Sequence, residues 1–467
     1  MSIETVSFLE VKPPGLHIFS KFPIPRLGAV LLATLLRNEG YTVKVFVEDI
    51  AEPDWAFIHR SDLVCISTIT STAPRAYRIA DSIRERGIPV VMGGPHPSFM
   101  QEEALRHADC VVRGEGDETL PELLAFFENG TPALDAIHGI AYKDASGRVV
   151  ETPPRPLLAD LNSLPAPDLS LIHGWKPTHI YPLSTSRGCP FSCTFCSVIQ
   201  MFGRKYRFRS IEKTLEDIRG AVERSRATLF FVDDNFAAHR PRAKAILKGM
   251  IAGGLRHDWS AQVRTDVAKD HELLRLMADS GCHTLYIGFE SVNPRTLALY
   301  DKRQTLDEIV SCIKAVRSHG IAIHGMFVLG ADTDTAETIG HTVQFAVDLG
   351  IDTVQFMPLT PVPGTPVFEE MARTGRLLHT DWSKYDMHHV VFLPAQMRPE
   401  TLQIESLRAM ERFYSWGYIL RRLARLDLHY TILGLYGNRA VKRAMEAARS
   451  YIEHLRTVPP PLTACSE

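Results

Sequence analysis

Cysteine is scarce in this sequence: eight residues in 467. That excludes a small secreted fold stapled by disulfides, which needs a far denser supply. Long apolar runs are missing as well. No stretch reaches 18 uncharged apolar residues, so a membrane-spanning helix is excluded, and the opening MSIETVSFLEV lacks the basic-then-apolar order of an export signal. Neither charge sign is in excess, with 52 Lys and Arg against 54 Asp and Glu and a net charge of -2. A dedicated nucleic-acid binder would show a basic surplus or a basic stretch interleaved with aromatics, and neither is found. Hydrophobic residues at 45% and charged residues at 23% also exclude a disordered chain. These absences leave a soluble, cytoplasmic globular protein, and its length exceeds one ordinary core, so two or three domains are expected.

What is present is an alternation of short apolar strands and amphipathic helices, the pattern of parallel α/β units. Residues 1–130 read as a doubly wound, Rossmann-like domain. A linker over 131–178 holds a hairpin, GIAYKDASGRVVE, and the proline-rich TPPRPLLADLNSLPAPDLS. Strand and helix then alternate again over 179–385, from HIYPLSTSRGC to DTVQFMPLTPVPGTP, giving six strands. Six is short of the eight that close a barrel, so a partial (β/α)6 barrel is expected. Residues 386–467 read as helical.

Three of the eight cysteines crowd into one loop, as Cys189-x3-Cys193-x2-Cys196. The other five, Cys65, Cys110, Cys282, Cys312 and Cys465, are scattered and read as structural. A zinc site would need a fourth ligand, such as a distant histidine, and three unrelated core cysteines are the blander alternative. The spacing instead lets one wrapped loop aim three thiolates at three corners of a cubic iron-sulfur cluster, leaving the fourth iron open to a chelating substrate.

This loop, with Phe195 just before the third cysteine, resembles the cluster motif of the radical S-adenosylmethionine (radical SAM) superfamily, and the likeness runs over roughly 178–385. The resemblance implies a 4Fe-4S cluster on Cys189, Cys193 and Cys196 that chelates S-adenosylmethionine and cleaves it to a 5'-deoxyadenosyl radical, with flavodoxin or ferredoxin as electron donor. That radical abstracts hydrogen from an unactivated carbon. It further implies that Asp233, Asp234 or Asn235, at the end of the second barrel strand, receives the methionine amino group, with Asp234 favoured. Arg264 after the third strand would meet a carboxylate, and Glu290 after the fourth would meet the ribose or the methionine group. Phe195 belongs to the same set. Taken singly, each of these strand-end residues also fits a solvated cap or an ion-pair partner.

In the first domain the strand ends carry STITST, with Ser67, Thr68 and Thr70, then GGPHPS, with Gly93 and Gly94, then GEGDET, with Gly114 and Glu115. Small residues there let a ligand approach the backbone at the switch point of a doubly wound sheet. No G-x-G-x-x-G follows the first strand, which speaks against a dinucleotide. These segments resemble the cobalamin-binding domain that precedes the barrel in one radical SAM subfamily, over about residues 1–130. The Asp-x-His-x-x-Gly loop that supplies an axial histidine in many cobalamin proteins is absent, the chain reading KPPGLHIFSKFPIPRLG. His17 and His96 are open as ligands but read better as ordinary histidines, so cobalamin is expected without a histidine ligand.

Near the barrel mouth, Tyr385, His388 and His389 in WSKYDMHHVVF are candidates for contacting substrate. Arginines and lysines from 421 to 456 form a basic helical face, read as solvated, with peripheral contact to an anionic substrate or membrane surface as the alternative. The expected partner is a small, apolar molecule and not a nucleic acid. The expected function is a cobalamin-dependent radical SAM enzyme, most simply a C-methyltransferase. Cyclisation, rearrangement or oxidation of tetrapyrrole or lipid substrates, with or without cobalamin, is the second reading, and a non-catalytic metal-binding module the remote one.

Overall fold

Strands β1 (Thr5–Glu10), β2 (Thr42–Val47), β3 (Leu63–Ser67), β4 (Val90–Gly93) and β5 (Cys110–Val112) are short runs of β-branched and apolar residues, nearly all buried. Burial on both faces is what a parallel sheet covered by helices demands. In the computed structural model these strands pair in parallel in the order β2-β1-β3-β4-β5. Residues 2–13, 15 and 24–458 are described; most of the segment after β1, with His17, and Cys465 lie outside them. The helix Ala73–Arg84 packs Ala73, Ala76, Tyr77, Ala80 and Ile83 on the sheet, a stripe at helical spacing, against a core that includes Leu9, Phe46, Val64, Ile66 and Met92. Strand order reverses direction between β1 and β3, so the crevice of a doubly wound sheet opens beside Ser67 and the loop after it.

The hairpin expected in the linker is part of this sheet. Strands β6 (Ile140–Lys143) and β7 (Val149–Glu151) continue it antiparallel, with Val111 opposite Ala141 and Tyr142 opposite Val150. Asp144 folds the turn by accepting from the amides of Ser146 and Arg148. The first sheet therefore ends at Glu151 rather than near 130.

Backbone proximity separates two compact units, residues 1–14, 22–190 and 197–227 in one, and 15–21, 191–196 and 228–467 in the other. The first unit also holds β8 (Tyr181–Leu183) and the antiparallel pair β9 (Ser186–Arg187) and β10 (Arg207–Phe208). The second unit contains parallel strands β11 (Leu229–Phe231), β12 (Trp259–Val263), β13 (Cys282–Glu290), β14 (Ala322–Leu329) and β15 (Thr353–Pro358), each paired with the next. Side-chain caps from Asp270, Thr305 and Thr335 start the helices between them.

Among the described residues no further strand pairs with β15. Its outer edge is covered by the helix Pro399–Phe413 and the residues after it. The Tyr414 hydroxyl accepts from the Val354 amide at 3.0 Å and donates to the Val354 carbonyl at 3.2 Å. Tyr418 donates to the Asp352 carbonyl at 2.6 Å, and the Phe356 amide meets the Met410 sulfur at 3.4 Å. Several backbone groups that an edge would offer to another chain are thus satisfied internally.

Candidate active site

The parallel strands of the second unit end on one side, and the sequence candidates Asp233, Asp234, Asn235, Arg264 and Glu290 follow or close β11, β12 and β13 there. Asp233 and Asn235 are buried. Asp234 is water-accessible yet hemmed in by protein mass; that desolvation, with the neighbouring Asp233 carboxylate, raises its carboxyl to about 7. Glu290 lies beyond a register shift between Gly288 and Glu290 and has φ 62°, a left-handed conformation rare for a residue with a side chain. The bulge turns its carboxylate into a buried ion pair with Lys302, at 2.5 Å.

Arg264 does not stand free to meet a ligand carboxylate. One of its Nη atoms donates to the Cys193 Sγ at 3.6 Å, the other to the Lys302 carbonyl, and its guanidinium lies over the Phe191 ring at 3.8 Å. The segment Tyr300–Gln304 holds this half of the cysteine loop from several directions. Ser192 donates to Asp301 at 2.7 Å, the Thr194 amide reaches the Tyr300 carbonyl at 3.4 Å, and the Phe195 ring meets Tyr300 edge-on at 5.0 Å. Asp301 and Arg303 hold φ of 48° and 51° in that segment, and Gln304 anchors it by donating to the Phe289 carbonyl at 2.7 Å. Sequence reasoning missed Phe191, Ser192, Tyr300 and Lys302, since none carries a recognisable motif.

The residue before Cys189 explains the local path of the chain there. Gly188 has φ 88°, and a Cβ there would sit 2.7 Å from the Lys205 carbonyl and 2.9 Å from that of Gly203. Only glycine fits so close an approach. Immediately before Gly188, on β9, Arg187 binds Asp117 at 2.5 Å and Glu115 at 3.1 Å, while Arg207 on β10 binds Glu115 at 2.8 Å. Burial works against the Glu115 charge, but the two guanidiniums outweigh it and hold the carboxyl below its ordinary range. Glu115, expected at cobalamin, thus ties the GEGDET loop to the chain entering the cluster loop.

The other strand-end residues of the first unit are bound to one another. The Thr68 amide donates to the Gly93 carbonyl at 3.0 Å, Thr68 and Thr72 share a hydroxyl bond of 2.6 Å, and the Gly114 amide donates to Ser98 at 3.1 Å. Ser67 closes β3 and Thr70 opens the turn after it. Gly94 has φ 97°, and a Cβ on it would meet the Thr68 carbonyl at 2.7 Å; Gly93 has ordinary clearance. Gly114, with φ 74°, borders open space. His96 is buried inside the unit, so it does not serve as an exposed loop ligand.

Comparison with known proteins gives these arrangements a context. The Radical SAM superfamily profile matches residues 183–346, and the B12 binding domain profile matches residues 18–124. An uncharacterised methyltransferase of Pyrococcus horikoshii is 35% identical over 382 residues, which is 77% of this chain and 81% of that one. This chain belongs to the radical SAM superfamily, in its cobalamin-binding branch. The bacteriochlorophyllide d C-12(1)-methyltransferase of Chlorobaculum tepidum is 30% identical over 380 residues, 79% of this chain and 78% of that one. An anaerobic magnesium-protoporphyrin IX monomethyl ester cyclase of Rubrivivax gelatinosus is 28% identical over 413 residues, 84% and 74% of the two chains. The radical SAM methyltransferase TsrM of Kitasatospora setae, solved with cobalamin and a 4Fe-4S cluster, has a TM-score of 0.72 at 17% identity over 96% of this chain and 100% of that one, a likeness of fold.

The residues of this radical SAM chain fit both groups. Cys189, Cys193 and Cys196 are of intermediate exposure, and a guanidinium already donates to Cys193, as a thiolate bound to iron would favour. Among the described residues no three His, Cys, Asp or Glu side chains converge on one ion, and ligands that each hold a different iron need no such convergence. Cys65, Cys110, Cys282 and Cys312 are buried, and burial raises each thiol, so they behave as core residues. For cobalamin, the 2-1-3-4-5 strand order, the tight Gly94 turn and the open ground beside Gly114 supply a crevice with close backbone access.

The substrate candidates are largely committed elsewhere. Tyr385 is buried and donates to the His379 carbonyl at 2.6 Å. His389 pairs with Asp386 at 2.9 Å and meets Tyr451 edge-on, and the His388 amide also donates to Asp386. These contacts build the WSKYDMHHVVF segment itself. Among the described residues no helix is long and apolar enough to cross a membrane.

Proposed function

We propose that this radical SAM chain methylates an unactivated carbon of a small, largely apolar molecule, using S-adenosylmethionine, a 4Fe-4S cluster and cobalamin. The observation that carries the reading is the joint presence, in one chain, of a three-thiol loop and a 2-1-3-4-5 sheet with glycine-lined strand ends. When bound, the two groups supply one-electron cleavage of a sulfonium and a transferable methyl group. The chain's own residues position and insulate. Cys189, Cys193 and Cys196 would hold the cluster, which would supply the electron for the cleavage. Asp234, poised near neutrality, receives the ammonium of S-adenosylmethionine. Arg264 holds the Cys193 side of the loop against Phe191. The strand-end loops around Ser67, Thr68, Thr70, Gly93, Gly94 and Gly114 give cobalamin its seat, with Glu115 bracing that seat through Arg207. An electron donor of the flavodoxin or ferredoxin type completes the system.

The cyclase relative supports a second reading, ring closure on a tetrapyrrole, with the same cofactors. One experiment separates them. The reconstituted protein is incubated anaerobically with reductant, cobalamin, methyl-deuterated S-adenosylmethionine and a panel of tetrapyrrole and polycyclic lipid candidates. Methyl transfer adds a deuterated methyl mass to the product, whereas cyclisation adds none. Replacing Cys189, Cys193 or Cys196 by Ala abolishes iron absorbance, while Cys282→Ala and Cys312→Ala leave it. Zinc in place of iron after reconstitution would overturn the assignment.

A further inference from the structure

Six large apolar side chains stand in water on one short stretch of the second unit. Trp416 and Leu420 are each 59% exposed, Leu423 47%, Leu426 84%, Leu428 63% and Ile432 66%. Their spacing gives each of two consecutive helices an exposed apolar edge. In the helix Trp416–Ala424, positions 416, 420 and 423 share a face at i, i+4 and i+7; in the helix Leu428–Ala447, 428 and 432 do so. The two helices are consecutive, and Leu426 sits in the tight connection between them. Leu426 is also left-handed, with φ 56°. A bulky residue in that conformation is strained, and its side chain has no packing in the chain to offset the strain.

The surrounding charge is mainly cationic. Arg421 and Arg425 flank the apolar edge, and Arg439, Lys442 and Arg443 continue the Leu428–Ile432 face along the same helix, all of them exposed. The one acid between 412 and 445 is Asp427, which is already paired with Arg422 at 3.2 Å. From the apolar edge with its cationic continuation we infer that this helical hairpin docks on an anionic lipid surface, with the leucines and Trp416 entering the headgroup boundary and the arginines meeting phosphates. A second copy of the chain fits worse, because a two-fold contact sets the same cations against each other. An apolar edge of this kind on an enzyme for apolar molecules would bring it to where such molecules dissolve. The inference stands on the hairpin alone and holds whatever reaction the chain performs.

The test uses the full-length, cluster-reconstituted protein, sedimented with vesicles of phosphatidylcholine alone or of phosphatidylcholine with phosphatidylglycerol. Binding to the mixed vesicles, weakened by salt and at least tenfold weaker on neutral ones, is expected. Arg421→Ala and Arg425→Ala should each lower the partition coefficient roughly fivefold on anionic vesicles. Leu426→Asp with Leu423→Asp should lower it by about tenfold or more while iron content and circular dichroism stay unchanged, since both side chains are exposed. Equal affinity for neutral and anionic vesicles, or no binding to either, overturns the proposal. So does self-association that Leu426→Asp dissolves in the absence of lipid, because the edge would then be a contact between copies.

Discussion

Lys302→Met is the substitution that most directly examines how the strand-end face is held. Lys302 and Glu290 are joined at 2.5 Å with 6% and 9% of their side chains accessible. Methionine keeps most of the lysine volume and removes the charge, so packing is little changed and Glu290 is left as an uncompensated buried carboxylate. Removing one partner of a buried pair costs about 3–5 kcal/mol, and about 1.4 kcal/mol corresponds to a factor of ten. Glu290 is also held at φ 62° beside a register shift, so release of its side chain frees a strained backbone. The loss should therefore be local, over β13 and the Tyr300–Gln304 segment. Hydrogen exchange read by mass spectrometry on peptides from 282–304 is the assay, since two units make a single unfolding free energy ill-defined. Protection there should fall by at least about a hundredfold, and Glu290→Gln combined with Lys302→Met should recover at least half of the loss. A fall of less than about fivefold, or a double variant whose losses simply add, would refute the reasoning.

Gly94→Ala should weaken cobalamin loading, followed by absorbance, and destabilise the first unit by about 2 kcal/mol, because a Cβ there meets the Thr68 carbonyl at 2.7 Å in a left-handed turn. Gly93→Ala, with its nearest neighbour at 3.7 Å, should load normally, and equal behaviour of the two would discredit the turn as the seat. Asp234 titrates near 7 because desolvation and the Asp233 charge favour its neutral form. If its carboxylate receives the ammonium of S-adenosylmethionine, binding strengthens as pH rises through that value and weakens by up to about tenfold per unit below it. Calorimetry between about pH 6 and 8 should show this slope in the native protein and a flat profile for Asp234→Asn; a flat native profile would exclude the role.

The cysteine loop and the alternation of strands and helices along the chain were legible because both are local patterns: three thiols in eight positions, and apolar runs at a spacing that one element imposes on itself. What escaped the sequence depends on partners far along the chain. Arg264 was expected at a ligand carboxylate, but its guanidinium meets Cys193, 71 residues away, and the Lys302 carbonyl. Glu115 looked like part of a ligand loop, yet Arg207, 92 residues on, takes both its oxygens. The hairpin over 140–151 read as linker because antiparallel pairing with β5 leaves no signature in either strand alone. His389 and Tyr385 looked available for substrate, and only the fold reveals Asp386 and the His379 carbonyl as their partners.

The phenols of Tyr414 and Tyr418 address β15 and the residue before it through the main-chain groups of Val354 and Asp352, with the Met410 sulfur set beside the Phe356 amide. A seal that reads peptide groups is indifferent to which side chains the strand carries. The strand-end chemistry and the C-terminal helices can therefore change in sequence independently of each other. One half of the barrel can keep its reaction while the helices behind it are rewritten for a new address or a new cargo.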